Sequence, residues 1–246
     1  MDTSLGLFVA VGFLAQLIDG AMGMAYGVTS TTFLLSLGVP PALASAGVHT
    51  AEVFTTLASG LAHWRLGNVD WHLVKRLVVP GVVGGALGAY VLSSVPAQSI
   101  KPYVAGYLLL MGLVIVARSF KRTKTREVRK GLIPLGAVGG FLDAIGGGGW
   151  GPIVTSTLVA RGNHPRFTIG SVNLTEFFVT VAEAATFFTL IGLAGWRIIV
   201  GLLLGGVLAA PVAACVLRIL PTRWLMLAVG LIIIALQART LWLALA

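Results

Sequence analysis

Asp19-Gly-Ala-Met-Gly-Met-Ala-Tyr-Gly27 and Asp143-Ala-Ile-Gly-Gly-Gly-Gly-Trp-Gly151 are the two stretches whose reading decides the fold. Each breaks an apolar run with glycines, and each opens on an aspartate. Sliding the chain over itself by 124 residues superimposes them without a gap. The register then holds from position 19 to 59, with the identical pairs Asp19/Asp143, Gly23/Gly147, Gly27/Gly151, Thr31/Thr155, Leu34/Leu158, Gly38/Gly162, Pro41/Pro165, Val48/Val172, Glu52/Glu176, Phe54/Phe178, Thr56/Thr180 and Ala58/Ala182. That is 12 identities in 41 positions. Shared hydrophobicity supplies a few such matches, but it does not place Asp, Glu, Pro and Gly in register. The chain is read as an internal duplication.

Apolar segments run outward from these breaks at 4–18, 27–37, 41–64, 72–94 and 98–118, and again at 132–143, 151–160, 165–192, 197–218 and 222–244. The composition is 57% hydrophobic and 10% charged, with a mean hydropathy of +0.96. A soluble fold cannot bury so much apolar surface, and in lipid only helices or a closed barrel satisfy the backbone. Runs such as Leu73 to Leu92 lack the alternation of a barrel strand. The expected fold is therefore an all-α polytopic membrane protein. The 32 glycines suit close helix approach and helix breaks. The lone Cys215 excludes an internal disulfide and reads as a packing residue. No basic residue precedes the first segment, so it is read as part of the mature fold.

A full span needs about 20 residues, and the first two segments of each half are shorter. Whether those two cross or re-enter, each half makes an odd number of net crossings, so the second half is inverted relative to the first. The expected units are a first membrane repeat over 1–120, a basic linker over 121–131 and an inverted repeat over 132–246. Charge tests the count. The loops at 65–76, 118–130, 161–166 and 218–223 fall on one face and hold 14 of the 17 basic residues, including Arg118, Lys121, Arg122, Lys124, Arg126, Arg129 and Lys130. Lys101, Arg197 and Arg239 remain for the other face. By the positive-inside rule the crowded face is cytoplasmic and both termini lie outside. The net charge of +9 thus reports orientation, and no nucleic-acid partner is expected.

Asp19 and Asp143 flank the breaks, either beside a substrate site or as caps for the backbone N–H groups of the following half-helix. A half-helix start offers free N–H groups to an anion. Gly147, Gly148 and Gly149 allow close backbone approach, or close helix packing. Thr29, Ser30, Thr31 and Thr32, with Thr155, Ser156 and Thr157, add hydroxyls within the next turn. Glu52 and Glu176 fall near the bilayer midplane, as proton carriers or as struts for the broken segments. Helical spacing extends them into stripes of His49, Glu52, Thr56, Ser59 and His63, and of Asn173, Glu176, Thr180 and Glu183. His49 is the residue suited to respond to protons or face an anion. The repeats differ at His49/Asn173 and Ser59/Glu183, which makes the two half-sites chemically unequal. Trp64, Trp71 and Trp196 read as interfacial belt residues. Neither metal-ligand spacing nor a nucleophile, base and orienter grouping is visible, so no cofactor, metal or enzymatic activity is expected.

The Asp19 to Gly27 run, the Gly38-Val-Pro-Pro41 turn, Thr50-Ala-Glu52 and the second glycine-rich copy resemble the TauE/SafE family of membrane permeases across almost the whole chain. The resemblance implies a permease of the bacterial inner membrane that exports a small anion such as sulfite, a sulfonate or a related organosulfur compound, with proton coupling as one option. The expected substrate contacts are Gly23, Tyr26, Gly27, Thr31, His49, Gly147, Gly148, Gly149, Trp150, Thr155 and Asn173. The coupling or structural carboxylates are Asp19, Glu52, Asp143, Glu176 and Glu183. The expected partners are the anion and the lipid bilayer, with a second copy of the chain as a candidate. An anion channel and a cation-coupled importer of a small organic anion are the rivals.

Overall fold

The computed structural model describes residues 5–22, 25–120, 130–192, 195–219 and 222–245. Gly23, the loop residues Lys121, Arg122, Lys124, Arg126 and Arg129, and the Cys215 side chain lie outside that set. Among the described residues the structure is all helical. The first half contains α1 (Leu5–Met22), α2 (Tyr26–Ser36), α3 (Pro41–Arg65), α4 (Trp71–Ser94) and α5 (Ala97–Arg118). The second contains α6 (Leu132–Gly146), a π-helical turn (Gly151–Thr155) that runs on into α7 (Ser156–Ala160), then α8 (Pro165–Ile191), α9 (Trp196–Ile219) and α10 (Thr222–Leu245). Pro41 and Pro165 each take the first helical position, where the missing N–H costs nothing. The proline register of the sequence thus becomes a register of helix starts.

The short segments re-enter. Arg161, just past α7, donates from Nη1 to the carbonyl of Lys130, just before α6, at 3.1 Å. Both ends of this hairpin therefore lie at one face. In the first half, Phe8 of α1 shares a surface pocket with Leu37, Val39 and Pro40 beyond α2. That hairpin opens on the opposite face, beside Trp196 at the start of α9. Each half is a re-entrant pair followed by three long helices, which gives the odd crossing number.

The long helices α3 and α8 lie antiparallel at the centre. Ser59 meets Asn173, Gly60 meets Leu174, and His49 meets Glu183. Residues that correspond through the 124-residue step thus exchange places across the contact, which requires an approximate two-fold axis perpendicular to the helices. Whereas α8 packs on α4 more extensively than α3 does on α9, three other extensive interfaces follow the same rule: α1 packs on α9, α6 on α4, and α5 on α10. They are close because glycine removes the side chain. A Cβ at Gly205 would strike the Val9 carbonyl, and one at Gly140 would strike that of Gly81.

The perimeter is apolar. Val79, Val83, Leu87 and Tyr90 form an exposed stripe along α4, and Tyr103, Leu110 and Leu113 are exposed on α5. Trp71–Ser94, Ala97–Arg118, Pro165–Ile191 and Met226–Ala244 are each long and apolar enough to cross a membrane. The protein is an all-α, multi-pass integral membrane protein. Basic side chains gather at one end, where Arg166 donates to Asn68 and the Leu66 carbonyl, and Arg223 stacks 5.0 Å from the Phe120 ring centroid.

Candidate functional site

The two hairpin tips meet in the middle of the bundle. Thr31 Oγ1 donates to the Gly147 carbonyl, and Gly27 lies directly against Gly148. Gly147 and Gly148 have φ of 64° and 136°, values that L side chains rarely adopt. A Cβ at Gly148 would collide with the backbone of Gly27. These glycines turn the chain and let the hairpins cross.

Both aspartates act as caps. Asp19 Oδ1 accepts from the backbone N–H groups of Ala25 at 2.8 Å and Tyr26 at 3.1 Å, and Asp143 Oδ1 accepts from Trp150 N–H at 2.8 Å. A helix start leaves four N–H groups without an intrahelical partner. Asp19 takes the first two of α2, and the next two belong to Gly27 and Val28, which line a cavity.

That cavity has a volume of about 270 Å³ and is bounded by Asp19, Tyr26, Glu52, Asn173 and Glu176, with Gly149 and Gly151 from the second hairpin. It continues past Thr55, Thr56 and Ser59 to His63 and Ile169, at the end of the bundle where the basic side chains gather. Its polar walls are hydroxyls, the amides of Gln16 and Asn173, the His63 imidazole, backbone N–H groups and three carboxyls. Asn173 Nδ2 donates to Ser59 Oγ at 2.9 Å across the α3–α8 contact.

The symmetry mate of that contact is closed and charged. His49 is fully buried, and its Nδ1 lies 3.0 Å from Glu52 Oε2 and 3.1 Å from Glu183 Oε2. Its Nε2 lies 3.2 Å from the Asp143 carbonyl, which can only accept, so Nε2 carries a proton. A bare Nδ1 facing two ionised carboxylates would be repelled by both. The trio of His49, Glu52 and Glu183 therefore shares at least one further proton.

Of the residues read from sequence as substrate contacts, Tyr26, Gly27, Gly149 and Asn173 line the cavity, with Asp19, Glu52 and Glu176 among the carboxyls. Others stand elsewhere for identifiable reasons. Gly147, Gly148 and Thr31 are consumed by the hairpin crossing. Trp150 is enclosed, with its indole N–H 3.3 Å from the Val172 carbonyl and its ring against Gly81. Thr155 is buried outside the cavity wall, as are Thr29, Ser30 and Thr32. His49, Asp143 and Glu183 lie in the closed cluster. Tyr107 was not legible beforehand: its hydroxyl donates to the Gly148 carbonyl at 3.3 Å, and its ring occupies the space that Gly146 and Gly149 leave open. A hydroxyl within the apolar run of α5 was its only signal.

Comparison with known proteins agrees with this architecture. The chain is 44% identical over 251 residues to the "Probable membrane transporter protein YtnM" of Bacillus subtilis (strain 168), covering 97% of this chain and 84% of that protein. Two further proteins of the same organism are similar to it. The "Probable membrane transporter protein YjnA" is 24% identical, covering 81% of this chain and 85% of that protein. The "Probable membrane transporter protein YdhB" is 26% identical, covering 87% of this chain and 91% of that protein. No solved structure matches. The family profile described as "Sulfite exporter TauE/SafE" matches residues 8–240. The paired re-entrant hairpins, the polar cavity between them and this match over nearly the whole length lead to one assignment: the chain belongs to the TauE/SafE family of membrane transporters.

Proposed function

We propose that the chain is a secondary-active permease of a bacterial inner membrane that exports a small anion, such as sulfite, a sulfonate or a related organosulfur compound, by alternating access. The observation that carries this reading is the cavity at the meeting of two inverted hairpins, open toward one end of the bundle and closed toward the other. The basic end, by the positive-inside rule, is cytoplasmic, which puts both termini outside. An anion in the cavity is held by the N–H groups of Gly27 and Val28, by the Ser59 hydroxyl, which accepts from Asn173 and keeps its own proton to donate, and by the second amide hydrogen of Asn173.

The carboxyls set a condition on that reading. Asp19, Glu52 and Glu176 border the cavity, while among the described residues no lysine or arginine does. An anion cannot share this space with three ionised carboxylates, because like charges in a dry site repel strongly. Anion binding therefore requires protons on Glu52 and Glu176, where each carboxylic acid becomes a hydrogen-bond donor. Proton-linked transport follows from the wall chemistry. The same carboxyls favour a second reading, a cation-coupled importer in which a cation occupies the acidic wall.

Purified protein in proteoliposomes separates the two. Efflux of preloaded sulfite that responds to an imposed pH difference and ignores sodium supports the first reading. Sodium-driven uptake of simple carboxylates, with sulfite, thiosulfate and sulfoacetate inert, overturns it in favour of the second.

A further inference from the structure

The cavity reaches one end of the bundle, and the two-fold relation shows what occupies the matching place at the other. The positions equivalent to Ser59, His63, Ile169 and Asn173 are Glu183, Phe187, Ser45 and His49. The first set lines the open cavity. Every member of the second is sealed, with relative exposures of 0% for Glu183, Ser45 and His49 and 1% for Phe187. The Phe187 ring stacks on the imidazole of His49 with centroids 6.3 Å apart and planes 5° from parallel. Ser45 Oγ is bound to the Ala144 carbonyl at 2.6 Å. Glu183 packs on Gly85 of α4, and its Oε1 has no hydrogen-bond partner.

An enclosed carboxyl oxygen without a partner is costly in this conformation. A carrier of two inverted repeats reaches its other state when the halves exchange conformations, so the closed symmetry mate of an open cavity is the path of that state. We infer that Ser45, His49, Glu183 and Phe187 line a second, closed anion-binding vestibule on the extracytoplasmic side, with the His49–Glu183 pair as its latch and Phe187 as its plug. Opened, this vestibule offers the small anion an imidazole where the cytoplasmic one offers an amide. The imidazole–carboxyl pair is thus confined to one end of the path. The groups that face the latch are Glu52 from α3, Asp143 from α6 and Tyr107 from α5. The inference rests on the permease reading for its ligand, but its geometry is testable without any substrate.

The test is cysteine accessibility to a membrane-impermeant maleimide, with Cys215→Ser as background, in sealed vesicles of either orientation. Asn173→Cys should react from the cytoplasmic side, and Ser45→Cys from neither. Adding Phe187→Ala, or His49→Asn with Glu183→Ser, gives the outer half a weaker plug or the neutral pair of the inner half. Ser45→Cys should then react from the extracytoplasmic side at least about tenfold faster, as the open state gains population. Reaction of Ser45→Cys from the cytoplasmic side overturns the inference. So does an unchanged rate in both backgrounds while Asn173→Cys still reacts. If Asn173→Cys loses its sided reaction in one background, the other carries the test; loss in both means that the cluster holds the bundle together, which also overturns the gate. Absence of sulfite flux with the accessibility pattern intact would refute the substrate and leave the vestibule standing.

Discussion

His49–Glu183 and Asn173–Ser59 occupy the same place in two copies of one design, yet one contact is an enclosed charged pair and the other a neutral hydrogen bond at a cavity wall. These two departures from repeat symmetry, His49/Asn173 and Ser59/Glu183, meet in space. The step through 124 residues matches His49 to Asn173 and Ser59 to Glu183, and the antiparallel α3–α8 contact then joins each to the complement of the other. Changing one partner alone would have left a buried charge facing a neutral group. The fold keeps its backbone symmetry and divides the chemistry of this contact, with an imidazole–carboxyl pair at the closed end and an amide–hydroxyl pair at the open one.

The largest effect expected of a single substitution is in the charged half. His49→Ala leaves Glu183 enclosed, and Glu52 at the cavity wall, without their shared imidazole and should destabilise the protein by about 3–5 kcal/mol, measured as a fall in the unfolding midpoint in detergent. A loss no larger than that of Asn173→Ala would erase the distinction between the halves. The second effect is a coupling. His49→Asn and Glu183→Ser together rebuild the neutral pair, so the double variant should be about 1–3 kcal/mol more stable than the sum of the single losses. Additivity in that cycle would show that the two positions do not act as a unit. The smallest effect lies in the open half. Asn173→Ala removes one donor worth about 1 kcal/mol and should raise the half-saturating sulfite concentration about fivefold with little change in stability.

How much of this was written in the sequence follows from which forces act locally. The helix boundaries were legible because Pro41, Pro165 and the glycine-rich breaks act within a few residues of themselves. The duplication was legible because Asp, Glu and Pro in register have no compositional cause. The aspartate caps were legible as one of two readings, since a carboxylate before a helix start has few other local uses. The inversion followed from parity, but re-entry did not, since a short apolar segment reads alike whether it crosses or turns back. Contact between different helices was not legible. Helical spacing placed His49 beside Glu52, three residues on, but nothing local joins His49 to Glu183 on α8. Trp150 stands in a glycine-rich break and reads as a ligand contact, whereas the close glycine packing of Gly81 and Gly139 makes a slot for its ring. Tyr107 has Leu231 at the matching position, so the repeat gave no reason to single it out.

On this account the protein is a carrier whose polar site faces one side at a time. Counterflow tests it most directly. Proteoliposomes loaded with unlabelled sulfite and diluted into a trace of labelled sulfite should accumulate label transiently above equilibrium, because a loaded carrier returns with whatever it meets outside, and Glu52→Gln should abolish the overshoot. A monotonic approach to equilibrium, with flux that does not saturate, would mean that the path is open to both sides at once, and the protein would be a channel.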